Sequence, residues 1–247
     1  MGELLGALGL AWPRLVIYPG GLSALVASWL LARWLAWCLR QPSPVVRPVQ
    51  PGAIGDLLAP LLALSLLPLA PAASFPYGLD LIVALALLEW PHARHHLASD
   101  DQHSYLERCW PLLLAAAGLA VASRGLDLSR LLRWPQSLPH QGLLISSSLL
   151  WLVSLPGWLG AAPTSWPLRL RSLGLVWLGS LPLLGGLAAL RPDALTPAVA
   201  AWILPGVASL ISAGLVGVAC LLPVQARAWL IYALALLVVG LIAWGLI

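Results

Sequence analysis

A chain of 247 residues that is 60% apolar and 9% charged, with a mean hydropathy of +0.91, lies outside the range of soluble domains, where about a quarter of residues are charged. Its net charge of +4 comes from thirteen arginines with no lysine. That excess suits arginines holding loops on one side of a membrane and does not indicate nucleic-acid binding. Cys38, Cys109 and Cys220 are odd in number and far apart, which excludes a disulfide framework and a zinc ribbon and leaves small apolar packing residues.

In chain order, Glu3 precedes the first arginine, Arg14, so the basic start of a secretory signal is missing and the first helix is expected to stay uncleaved. Crossing about 30 Å of hydrocarbon takes about 20 apolar residues. Runs of that kind predict spans at 16–38, 55–73, 78–91, 109–123, 141–162, 172–190, 198–221 and 228–247. The expected fold is therefore all-α and polytopic, one transmembrane domain over 1–247 with about eight helices. Strands of a barrel would alternate over about ten residues, and these runs do not. The third and fourth spans are short, so they would tilt or thin the bilayer. Proline-rich QPSPVVRPVQPG (41–52) and RGLDLSRLLRWPQSLPHQ (124–141) read as loops between spans.

Loops after the odd-numbered spans hold Arg40, Arg47, Arg94, Arg108, Arg169, Arg171 and Arg227. The other side holds Arg14, Arg124, Arg130, Arg133 and Arg191, which places the N-terminus outside. Tryptophans such as Trp12, Trp90, Trp110, Trp134 and Trp166 sit at span ends, where amphipathic indoles form an interfacial belt. Trp29, Trp34 and Trp37 share one broad helical side, a candidate surface for lipid or subunit packing.

Charge inside the spans is scarce. Arg33 lies near the end of the first and should snorkel, while Asp56 and Asp80 start the second and third. Glu89 sits in hydrocarbon if its helix runs on to His96 and at the interface if Pro91 ends it. A mid-membrane charge costs about 2.5–3.5 kcal/mol, so Glu89 either handles a proton or cation or makes a structural bond. His92 and His96 have the i, i+4 spacing of two metal ligands, but no second ligand set accompanies them and a solvated loop is the better reading. No histidine lies mid-span, which argues against a bis-histidine haem, and no phosphate-loop, dinucleotide or serine-hydrolase motif is present. The serines Ser146, Ser147 and Ser148 and the pair Gly185–Gly186 read as helix-packing devices.

Three segments carry a family likeness. GDLLAPLLALSLLPLAP (55–71) followed by GLDLIVALALLEW (78–90) resembles the second and third helices of the quinone-proximal membrane subunit of complex I, also found in membrane-bound nickel–iron hydrogenases. SYLERCWPLLLAAAGLAVASRGLDLSRLL (104–132) resembles that family's fourth helix. The resemblance implies eight core helices, an outside N-terminus, a prokaryotic energy-transducing membrane, and partners comprising antiporter-like membrane subunits and a peripheral cytoplasmic module. It matches Asp80 to the family's aspartate at the third helix and makes Glu107 a second candidate, although Glu107 is shifted by two residues relative to Pro111. GAAPTSWPLRLR (160–171) stands where the family carries the acidic segment that lines the quinone cavity. No cofactor is assigned to this chain from its own residues; quinone is left open by the resemblance, with those carboxylates of its cavity absent.

The candidate ion or proton path is thus Asp80, Glu89 and Glu107, with no catalytic residue and no metal assigned. The function expected is a non-catalytic membrane subunit that anchors a peripheral module and couples it to proton or cation translocation. An independent small-solute or ion transporter is the alternative, and it would need broken helices at Pro156–Gly157 or Pro205–Gly206. A membrane-embedded enzyme or cofactor-binding antenna protein rests only on the histidine loop and the tryptophans.

Overall fold

The structure is a computed structural model that describes residues 21–41, 54–67, 81–96, 102–159, 165–189 and 197–245. Everything regular in these segments is helix: α1 (Gly21–Cys38), α2 (Ile54–Leu66), α3 (Leu81–His96), α4 (Gln102–Ala122), α5 (Leu128–Leu131), α6 (Leu138–Leu159), α7 (Trp166–Ala189), α8 (Pro197–Leu221) and α9 (Val224–Gly245). Each long apolar run folds this way because a helix closes its backbone hydrogen bonds within itself, as lipid demands.

Four of these helices contain stretches long and apolar enough to cross a membrane: Leu138–Leu159, Trp166–Ala189, Ile203–Leu221 and Val224–Trp244. Four shorter apolar helical stretches, Ser23–Cys38, Ile54–Leu64, Leu81–Trp90 and Cys109–Ala122, coincide with the first four expected spans. The expectation of eight full spans is therefore met by four among the described residues. Residues 68–80, which include the end of the expected second span and Asp80, lie outside them.

Several helices start earlier than expected. α7 begins at Trp166 rather than 172, with the Arg169 N–H bonded to the Ser165 carbonyl at 3.0 Å. Ser165 thus sits at the cap and Pro167 in the first turn, where a missing N–H costs nothing. α6 likewise begins at Leu138, with Gln141 N–H on the Ser137 carbonyl at 3.0 Å and Pro139 in its first turn. The segment 124–141, read as loop, therefore holds the one-turn helix α5 and the start of α6. Charges and prolines at these positions break an apolar run without breaking a helix.

The described contacts form two compact units. One comprises residues 1–100 and 161–175, the other 101–160 and 176–247, so α7 contributes its first part to the former and its second part to the latter. In the first unit α2 packs on α3 and α1 packs on α2. In the second, α6 packs against α4, α8 and α9, and α4 also meets α9. α6 contributes much of that core, with Leu150, Trp151, Leu152 and Leu155 fully buried.

Without a hydrophobic drive between helices in lipid, close approach of small residues supplies the attraction. A Cβ on Gly118 of α4 would strike Ser147 of α6 and lie 3.0 Å from Val238 of α9. A Cβ on Gly179 would lie 2.7 Å from both Trp151 and Leu152. At Gly185 the obstacle is backbone, the Leu132 carbonyl oxygen at 2.7 Å, and at Gly186 it is the Trp134 ring at 2.9 Å. The Gly185–Gly186 pair is thus a packing device, as its sequence suggests. The serines act differently from the interhelical role open to them. Ser146 and Ser148 donate to Leu143 and Leu144 carbonyls of their own helix at 3.2 and 2.7 Å, and Ser147 serves by its small size.

Backbone cannot yield as a side chain can, so Gly185→Ala should destabilise by about 1–3 kcal/mol, the usual cost of overpacking. Gly206→Ala and Gly240→Ala meet nothing within 4 Å and should be neutral or stabilising by up to about 1 kcal/mol. Thermal unfolding of the three variants in one detergent measures the contrast.

Candidate functional site

The apolar run of α3 carries one acidic residue, Glu89, and α3 does not stop at Pro91: it runs on to His96. Of the two placements open to Glu89, the structure selects the one inside a continuous helix. The partner is Arg171, on α7 within the same unit. Arg171 Nε donates to both carboxylate oxygens at 3.0 and 3.1 Å, and Nη2 donates to Oε2 at 2.8 Å. The Arg171 side chain is 3% exposed and that of Glu89 17%.

Local sequence brings these groups together. Gly174, one helical turn beyond Arg171, faces Leu88, the neighbour of Glu89: an added Cβ would collide with Leu88, whose Cδ1 would be 2.9 Å away. The missing side chain lets α3 and α7 approach until a guanidinium can straddle a carboxylate. Such a pair, with three charge-assisted hydrogen bonds, is among the stronger polar contacts available to side chains. In a dry environment it stores much of its energy in the desolvation already paid, so one partner without the other is a costly buried charge.

Arg169, two residues earlier, is also buried, and its guanidinium lies 5.5 Å from the centroid of the Trp166 ring, a cation–π contact. Both arginines thus belong to a helix and not to a loop, as do Arg94, Arg108, Arg130 and Arg227, so the count of loop arginines does not orient the chain. Arg171 escaped the sequence reading because the span was begun after the last arginine. The signal was there in Ser165-Trp166-Pro167, a helix start that places Arg171 inside the helix.

The other candidates fall into place as follows. Asp56 is buried in the first turn of α2, where the helix dipole favours a carboxylate. Asp80 lies outside the described residues, as do the side chains of Glu107, His92 and His96, whose backbones are helical. Among the described residues no three His, Cys, Asp or Glu side chains gather as a metal site. Trp29, Trp34 and Trp37 are all exposed on α1; Trp34 and Trp37 stack at 5.1 Å, and Arg33 lies 4.8 Å over the Trp29 ring instead of merely extending to water. Cys38 and Cys109 are buried, as packing residues should be. Pro156 and Pro205, where a transporter would break its helices, sit inside continuous helix.

No protein-family model, no curated protein and no solved structure matches the chain. What its apolar helices define is a class, a helical membrane protein.

Removing one member of the ion pair should be worse than removing both. Glu89→Gln and Arg171→Met are each expected to cost about 3–5 kcal/mol, and the double replacement by methionine to recover most of that loss. A double-mutant cycle on unfolding in detergent reads the coupling, and additive losses would show that the pair does not hold α3 to α7.

Proposed function

We propose that this chain is a multi-pass membrane subunit of a larger assembly, with its eight apolar segments all embedded in the bilayer, and that it serves as a scaffold and not as the site of turnover. The observation that carries this reading is the contrast between its helices. Only 11% of the apolar stretch of α9 and 33% of that of α8 is buried within the chain, against 72% of that of α6. A helix apolar on every side and covered on almost none needs lipid or other helices around it. Trp229, Leu236 and Trp244 of α9 and the tryptophan face of α1 offer large, rigid surfaces for that purpose.

The ion pair supports the scaffold role. Glu89, the carboxylate best placed within a span to carry a proton, is engaged on both oxygens by the Arg171 guanidinium. Its chemistry is that of a clamp. The resemblance of 55–71, 78–90 and 104–132 to the quinone-proximal subunit of complex I supplies the kind of assembly: antiporter-like membrane subunits on one side and a peripheral cytoplasmic module on the other, coupled to proton or cation movement.

Extraction from the native membrane in mild detergent, followed by quantitative mass spectrometry of the intact particle, tests this. Antiporter-like subunits and a peripheral module are expected in fixed stoichiometry with the chain, and Trp37→Ala should lower their recovery severalfold without lowering that of the chain. Transport or catalysis by the chain alone in vesicles would overturn the reading.

A further inference from the structure

The connection from α4 to α6 gathers positive charge into a cavity. α4 closes with the Gly125 N–H on the Ala120 carbonyl at 2.9 Å and the Arg124 N–H on the Val121 carbonyl at 3.1 Å, the double bond pattern that puts one residue in the left-handed region. That residue is Arg124, at φ 55°, a place that favours glycine. An arginine held there projects from the turn at a fixed point. The turn itself is tied by Arg130, whose guanidinium lies across Gly125 and donates from Nη1 to the Arg124 carbonyl at 2.6 Å. Asp127, the one acid in the segment, is occupied in capping α5 through a 2.8 Å bond from the Ser129 N–H.

The result is a cavity of about 620 Å3 lined by Arg124, Arg130, Arg133, Trp134, Ser137 and His140 among others, with no carboxylate in its wall. That volume is in the range of small-molecule sites, roughly 300–1,000 Å3. Three like charges around one space repel one another until an anion enters. Ser137 Oγ lies 2.7 Å from His140 Nδ1, which leaves Nε2 as a further polar group for a ligand. Guanidinium forks pair bidentately with carboxylate and phosphate alike, but a carboxylate has two oxygens and one charge to share among three arginines. A phosphate group has more oxygens and fits the set better.

We propose that this cavity binds a phosphate group, supplied either by the headgroup of an anionic lipid or by free phosphate. The cavity's surroundings suit a lipid: Leu126 and Leu138 are exposed beside it, and the Trp134 ring, packed on Gly186, provides an interfacial indole at its wall. The inference stands apart from the subunit reading, since it needs no partner chain.

The test uses the full chain, delipidated and returned to nanodiscs of phosphatidylcholine with or without phosphatidylglycerol, with inorganic phosphate added to a separate phosphatidylcholine sample. Binding is read by native mass spectrometry and by the rate at which phenylglyoxal modifies Arg124 and Arg133. Protection of both arginines by phosphatidylglycerol, with a retained lipid adduct lost at least tenfold in the Arg124→Gln/Arg133→Gln variant and kept in Arg227→Gln, identifies a lipid site. Protection by millimolar phosphate alone identifies a site for a soluble phosphate. Equal modification rates in all three samples of the unaltered protein overturn the proposal, and because that readout needs no variant it holds even if the double substitution fails to fold.

Discussion

A buried charge must meet its counter-charge, and this constraint organises the first unit. Glu89 on α3 and Arg171 on α7 are 82 residues apart in sequence, yet they share three hydrogen bonds in a nearly dry setting. Water cannot stand in for either partner, so α3 is bound to the start of α7 more specifically than apolar contact alone would achieve. Lipid tails solvate leucine as well as another helix does, and packing by itself is a weak director of which helices pair. A polar clamp restores the missing specificity, with Gly174 against Leu88 bringing the two backbones close enough for it to close.

The second unit brings its helices together through small residues. Gly118 and Gly179, with Ser147, mark the places where α4, α7 and α9 come against α6, and the glycines would collide with their neighbours if they bore a Cβ. Serine hydroxyls there fold back on carbonyls one turn earlier, as Ser148 does on Leu144 and Ser154 on Leu150 at 2.7 Å. That disposes of the hydroxyl within its own helix and bends the helix slightly at little cost. It also explains why Pro156 is tolerated inside α6: the helix is already supported by packing on three neighbours and needs less from its own ladder.

How much of this could be read from the residues depends on what each signal measures. Hydropathy finds where hydrocarbon begins, and so it located the apolar stretch of every long helix, including the seventh and eighth to within a few residues. It does not find where a helix begins, which capping decides, and at 137–141 and 165–171 the cap lies a turn or more before the apolar run. Arg171 fell in that gap. Glu89 could be singled out because an isolated acid in LDLIVALALLEW is conspicuous, but its partner is set by which helices meet, and nothing local to either residue states that. The tryptophan side of α1 was legible from 3.6-residue spacing alone, whereas the turn at Arg124 was not, because an arginine in the left-handed region runs against the usual preference for glycine.

The arginines make the general argument. Counted as thirteen equal cations they suggest only a bias of charge across the membrane. In the structure they are unlike one another: Arg171 clamps a glutamate, Arg33 and Arg169 lie over indoles, Arg40 and Arg124 end helices in the left-handed conformation, and Arg130 ties a turn. The guanidinium suits each of these tasks because it is planar, permanently charged and weakly hydrated compared with an ammonium. An arginine committed to a carboxylate or an indole inside a helix has been bound to the protein's own groups and no longer reports on the side of the membrane it faces. The charge left over for the outside world is therefore smaller than the net +4 suggests and more local, and in the described residues it is concentrated between α4 and α6, where three guanidinium groups share one cavity without an acid.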